Sequence, residues 1–467
     1  MTPELGDTGR ARRVRRCRHV PCLVSLLSAT AACGSVAGGA AADPSPPSPS
    51  DSLRERLVAL SPPRLPPPPP DPTNDYLTDP RAAVLGKKLF FDTRFSGPLL
   101  DEANNGDPAT LGMQGETGKV GCVSCHVPTS GFSDTRSTRA QISLGSGWTH
   151  RRAKSLLDVG QSRLLNWDGR RDSAFSQPFT PLEDAAEMNS SRLFAAQQIA
   201  RLYRNEYEPI FGPLPALERY GAVAAADAGC SELPPNLIHA SCVKPGADDP
   251  DVTRVVVNMG KAIEAFTRQL TCGPSRFDAW MAGDQNAMSL DEQAGAWLFV
   301  GKGHCDTCHS GPYFTDRSFH NVGLHPDFRF FVGPVDDPGA AEGLGELLTD
   351  SLNSRGPYSD GDDGRLDDLP ADLTSLVGAF STPGLRCVAR RPSFMHTGQF
   401  RSLEDVVSFF ARGGDENGFL GTSENVPRDL SATEKAELVA FLRALDGPGP
   451  DAALVAAPEL PPDPVAE

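Results

Sequence analysis

Cys-X-X-Cys-His stands twice in this 467-residue chain, as CVSCH at residues 122–126 and as CDTCH at residues 305–309. Two thiols three positions apart on one helical turn can each bond a vinyl-derived carbon of one porphyrin, and the histidine that follows then points at the iron. On that chemistry Cys122, Cys125, Cys305 and Cys308 are covalent anchors, and His126 and His309 are proximal iron ligands. Zinc takes the same residue types, yet the two motifs lie far apart in the chain, whereas zinc modules gather their ligands locally. A thioredoxin-like dithiol needs neither the histidine nor a second copy. Two covalently bound haem c groups are therefore the expectation, one per motif.

Helices and loops must present these turns, because helical signals dominate and long alternating strands are scarce. Asp79 and Pro80 read as the cap and first turn of a helix carrying VLGKKLF. The run 255–270 sets Val256, Met259, Ile263, Phe266 and Leu270 on one helical face. Ser289 with Glu292, Ser402 with Asp405 and Ser431 with Glu434 have the spacing of capping boxes, in which a hydroxyl and an acid answer first-turn N–H groups. The expected fold is mainly α: two cytochrome c-like haem domains with long loops and little β structure.

Residues 1–33 have the parts of an export signal. Arg10, Arg12, Arg13, Arg15, Arg16 and Arg18 form a basic region, followed by the short apolar run PCLVSLLSATAAC. That run is too short to span a membrane. TAACG around Cys33 resembles a bacterial lipoprotein cleavage box, with Thr30 where that box prefers Leu, so simple cleavage and a lipid anchor at Cys33 both fit. Residues 34–75 read as a proline-rich, coreless linker. An N-terminal haem domain follows over 76–280, then a C-terminal one over 281–450 and a disordered tail over 451–467. Of 11 cysteines, Cys230, Cys242, Cys272 and Cys387 belong to neither the signal nor the motifs. In an exported protein these can pair; Cys230 with Cys242 is the preferred loop disulfide and buried thiols are the alternative. A net charge of −16 argues against nucleic acid and for a positively charged redox partner.

Beyond the motifs, LGKKLFFDTRFS, NWDGRRDS, PLEDAAEMN, FDAWMAGD, CDTCHSGPYFTD, FHNVGL, TPGLRCVARRPSFMHTGQFRSLEDVV and LVAFLRAL run through residues 81–445. In order and spacing they resemble the bacterial di-haem cytochrome c peroxidases and their MauG-like relatives. The resemblance implies a periplasmic enzyme whose first haem reduces hydrogen peroxide while the second accepts electrons from a small c-type cytochrome or cupredoxin, and a homodimer is among its expected states. Glu187 matches the family's catalytic acid/base, as O–O cleavage needs a proton taken from one oxygen and delivered to the other; a solvated helix-start acid is the plainer reading. Gln177 matches a glutamine that orients peroxide, Pro181 a nearby proline, and Trp167 an indole between the haems, a role compatible with that of a large core aromatic.

Three positions depart from the pattern. Ser146 stands in GSGW where classical members have a histidine that blocks the peroxidatic iron, so that iron is expected open without reductive activation, as in MauG-like relatives. His150, four residues on, is a less favoured substitute ligand than a propionate-bonding or exposed side chain. Phe410 occupies the usual sixth-ligand position of the second haem and cannot ligate, which leaves that iron open or served by Met395 or His396. Ala153 replaces an asparagine that helps hold an inter-domain calcium in the family, so calcium is disfavoured. The leading function is a peroxidase; the alternatives are a MauG-like oxidase acting on a protein partner and a di-haem electron carrier.

Overall fold

Frequent glycine and proline cut this chain into short helices joined by long loops. The computed structural model describes residues 49–137, 142–234, 242, 248–326 and 337–464. The signal over 1–33, with Cys33, lies outside them. In chain order the helices are α1 (Pro49–Leu60), α2 (Pro80–Phe91), α3 (Cys122–Cys125), α4 (Phe179–Glu183), α5 (Arg192–Gln198), α6 (Arg204–Phe211), α7 (Pro250–Thr267), α8 (Arg276–Met281), α9 (Leu290–Val300), α10 (Ala340–Thr349), α11 (Leu403–Arg412), α12 (Ala432–Ala444) and α13 (Ala452–Val455). The strands among the described residues are two-residue pieces, β1 (Phe319–His320) and β2 (Phe380–Ser381), paired antiparallel with Phe319 opposite Ser381.

The cap signals in the sequence mark real helix starts. Asp79 accepts from the Arg81 N–H ahead of α2, with Pro80 in the first turn. Ser289 and Ser431 form reciprocal capping boxes with Glu292 and Glu434. Ser402 accepts from the Asp405 N–H at the start of α11. Helix α7 differs from the single apolar stripe expected of it: Val252 to Thr267 is buried with one exception, Arg254, and Leu270 packs just beyond the helix end. It is a central helix wrapped on all sides, its buried Asn258, Lys261 and Glu264 bonded to Tyr207, Asp360 and Asn74.

Two cores are built in parallel. In the first, α2 crosses α7 closely because Gly86 has no Cβ; a methyl there would strike the Ala262 carbonyl. In the second, α9 crosses α12 where a methyl on Gly295 would strike the Glu437 carbonyl. The local sequences, GKKLF and GAWLF, end in Phe90 and Phe299, both buried. Each phenylalanine sits beside a motif turn: Phe90 lies 6.4 Å from the His126 ring and Phe299 lies 5.8 Å from Phe314, centroid to centroid.

The stretch expected to be a coreless linker is in part folded. Helix α1 lies within it and sends Leu57 and Leu60, each 1% exposed, into the second core. Residues 61–75 then run as a strap: the Pro66 carbonyl accepts from Tyr313 Oη (2.6 Å) and Gln161 Nε2 (3.2 Å), and Asp71 pairs with buried Arg365 (2.7 Å). Proline fixes extended backbone but leaves its carbonyls free to accept, and side chains from both halves take them. The tail expected to be disordered carries α13, whose Leu454 and Val455 pack on the first core, and the Pro461 carbonyl accepts from Arg94 (2.9 Å). Cys230 pairs with Cys242, and Cys272 pairs with Cys387 across 115 positions. Among the described residues no helix is long and apolar enough to cross a membrane.

Candidate functional site

Both motifs fold into tight turns that orient the histidine in the same way. In each the histidine N–H donates to the first cysteine's carbonyl, His126 to Cys122 and His309 to Cys305, both at 2.9 Å. The side chains are then fixed through Nδ1: His126 lies 3.1 Å from the Phe132 carbonyl and His309 lies 2.9 Å from that of Phe314. A carbonyl only accepts, so Nδ1 carries the proton and Nε2 keeps its lone pair for an iron. Phe132 and Phe314 both have positive φ (52° and 55°), a conformation unusual for phenylalanine that turns these carbonyls toward the imidazoles. Burial pushes both histidines below their ordinary values, toward the neutral form a ligand must have.

Cys122, Cys125, Cys305 and Cys308 are unpaired, whereas the other described cysteines form disulfides. Among the described residues the two motifs do not combine into one four-ligand metal cluster; the grouping that does form is Cys308, Asp316 and His320. There His320 lies between the carboxylates of Asp316 and Glu424, each at 2.7 Å. The Asp316 hydrogen bond leads in raising its pKa, and both ring nitrogens are committed to carboxylates.

One large cavity, about 1830 Å³ with its open mouth, adjoins the first motif. Cys122, Cys125 and His126 enter its wall together with Trp167, Gln177, Pro181 and Glu187. Phe90, Val120, Leu157, Met188 and Ile263 give it apolar faces suited to a porphyrin. The residues present thus fit a covalently attached haem: two free thiols, an oriented imidazole and an apolar slot. Burial foremost, and Asp184 next, push the Glu187 carboxyl up to about 8, against the opposing pull of Arg170.

Ser146 is fully buried and committed to structure. Its hydroxyl donates to the Pro98 carbonyl (2.9 Å) and accepts from the Leu100 N–H (3.0 Å), while its backbone N–H donates to the Glu187 carbonyl (2.7 Å). Gly145 allows that approach, since a Cβ there would press on the Glu187 backbone. GSGW therefore braces the segment that carries Glu187. His150 is half-buried, and the cavity wall passes through Thr149 and Arg151 instead. Trp167 is 5% exposed; its indole N–H donates to the Arg152 carbonyl (2.7 Å) and its ring meets His396 edge-on at 6.4 Å.

Around the second motif, Asp306 pairs with Arg56 of α1, and Phe314 lies among Phe277, Phe299 and Phe441. Phe410, near the end of α11, packs on Phe409, and Arg428, whose charge reaches Cys305, donates to its carbonyl (3.1 Å). His396 is 6% exposed and stacked on Phe380 at 3.6 Å. Met395 has a positive φ of 67° and packs on the second core. Ala153 lies in the cavity wall, and its carbonyl already accepts from Arg152 (3.2 Å) and Ser133 (3.3 Å). Sequence reasoning passed over the cations of that wall, Arg152, Lys154 and Arg391, although RRAK and ARRPSF hold them in plain view.

The sequence profile described as "Di-haem cytochrome c peroxidase" matches residues 80–286. The methylamine utilization protein MauG of Methylorubrum extorquens is 30% identical over 398 residues, 84% of this chain and 84% of that one. Cytochrome-c peroxidase IdrP1 of Denitromonas iodatirespirans is 29% identical over 392 residues, 81% of this chain and 85% of that one. Among solved structures, the diheme peroxidase BthA from Burkholderia thailandensis shares the fold with a TM-score of 0.53 at 24% identity, covering 83% of this chain and 91% of that one. A MauG-like protein associated with microbial copper homeostasis does so with a TM-score of 0.54 at 24% identity, covering 85% and 96%.

Proposed function

Because this chain belongs to the di-haem cytochrome c peroxidase family, with two covalently bound c-type haems, we propose that it reduces hydrogen peroxide to water outside the cytoplasm, using electrons from a small c-type cytochrome or cupredoxin. The observation that carries the reading is the meeting of Glu187, Gln177 and the Cys122–Cys125–His126 turn in one cavity. Peroxide, two electrons and two protons give two waters. A bound haem would supply the iron at which peroxide binds and from which it takes electrons.

The protein's part is to hold, orient and move protons. Cys122 and Cys125 would anchor the first macrocycle and His126 would ligate its iron; Cys305, Cys308 and His309 would do the same for the second. Glu187 takes the proton from one peroxide oxygen and returns it to the other, which departs as water. The Gln177 amide, having both donors and an acceptor, holds peroxide in line. Trp167, buried against residues of both halves, offers an aromatic path for electrons between them. A buried carboxylic acid and an amide in the wall of the haem cavity have no use in a pure electron carrier.

The test is turnover of the as-isolated ferric protein with peroxide and a reduced small cytochrome, without prior reduction of the enzyme. Immediate turnover is expected, since Ser146 brings no ligand to the iron. Absence of turnover, with peroxide oxidation of a dedicated protein partner instead, would favour the MauG-like reading and sink this one.

A further inference from the structure

Three of the cations in the cavity wall have no carboxylate among their hydrogen-bond or ion-pair partners. Arg152, 3% exposed, donates to the Met395 carbonyl (3.2 Å), to Ser133 Oγ (2.5 Å) and to the Ala153 carbonyl (3.2 Å). Lys154 Nζ donates to the Asn166 carbonyl (3.0 Å) and to Ser381 Oγ (2.7 Å). Arg391, 9% exposed, donates through Nη2 to the Gly384 carbonyl (2.6 Å), and its buried Nε has no acceptor. Every acceptor is neutral. Other arginines of the same wall are treated differently: Arg151 pairs with Asp168 and Asp337, and Arg386 pairs with Asp278.

Burying a charge without a bonded counter-ion is costly. Desolvation foremost pulls all three groups below their ordinary values, and the charge of Arg391 adds to this at Arg152 and Lys154. Asp134, Asp168 and Asp158 act on these groups only through space, no carboxylate bonds to any of them, and the buried Arg391 Nε keeps a donor for an added anion. The cluster's position narrows the choice, because the charge of Arg152 reaches His126 while that of Arg391 reaches His309. The cluster therefore lies within the electrostatic reach of both motif histidines, and residues from both halves build it.

A haem carries two propionates, and one anchored at Cys122 and Cys125 would occupy the cavity whose wall holds these three side chains. We infer that Arg152, Lys154 and Arg391 receive haem propionate carboxylates at the seam between the two halves and that their positive charge raises the reduction potential of the haem they face. The sign follows from charge: a fixed cation favours the reduced iron, which is one unit less positive. They act as positioning residues, through the propionates, and never touch peroxide. The inference rests on haem attachment at the two motifs.

The test uses the purified holoprotein and its Lys154→Gln and Arg391→Gln variants, with haem counted by pyridine haemochrome and midpoint potentials read by spectroelectrochemistry. At full haem content, at least one haem in each variant should become about tenfold harder to reduce, about 59 mV lower for a one-electron couple. Lys154→Arg and Arg391→Lys should restore it. Two haems per chain with unmoved potentials would overturn the inference. So would wild-type potentials that follow added inorganic phosphate, which would assign the cations to a free anion. Fewer than two haems in the wild type would instead undo the attachment reading on which it rests.

Discussion

Glu187 is useful only if its proton is loosely held at working pH. Burial, and after it the neighbouring Asp184, push the group up to about 8, so it is protonated near neutrality and becomes a base as pH rises through that value. We expect kcat/KM for peroxide to climb with pH on a limb centred well above the ordinary carboxylate range, and Glu187→Gln to lower turnover by roughly 10² to 10⁴ and flatten that limb. Stopped-flow kinetics across pH checks both. The same shift has a consequence for stability. The folded chain holds a proton that the unfolded chain releases, so the contribution is complete below the ordinary glutamate value and is lost as pH rises to about 8. Glu187 was legible in the sequence through its resemblance to a family motif that also holds its acid neighbour Asp184; the buried wall that contributes most to the shift, and the opposing Arg170, come from elsewhere in the chain.

Helix α1 shows how composition can hide an element. Averaged over the proline-rich stretch it belongs to, the sequence reads as coreless, yet PSDSLRERLVAL spaces Leu53, Leu57 and Leu60 four and three apart on one face. Leu57 and Leu60 are 1% exposed in the second core, and Arg56 reaches Asp306 within the second motif. Leu57→Ala should therefore lower stability by about 2–5 kcal/mol, as for a buried leucine, measured by chemical denaturation of the holoprotein. A leucine on a detached spacer would change it by less than about 0.5 kcal/mol. The strap that follows could not be read from sequence, because its partners, Tyr313, Gln161 and Arg365, lie far along the chain.

Over the whole molecule the charge is −16. A basic electron donor is then drawn in by long-range attraction, which salt screens over a Debye length of about 10 Å at 0.1 M. kcat/KM for a reduced basic cytochrome should fall steadily as ionic strength rises, while the value for peroxide, a neutral molecule, stays level. Steady-state assays at graded salt separate the two. A donor dependence that is flat with salt would show that the net charge plays no part in docking.

The chemistry and the helical class were determined by sequence alone, because the CxxCH turns and the capping boxes are local: their partners lie within a few residues and need no knowledge of the fold. The three-dimensional structure decided everything that depends on distant groups meeting. It joined Cys272 to Cys387, brought Gln177 and Glu187 to the wall that carries His126, committed the Ser146 hydroxyl to Pro98 and Leu100, and gathered Arg152, Lys154 and Arg391 in one wall with no carboxylate bonded to them. Burial and electrostatic field are sums over such neighbours, and no short stretch of sequence contains them.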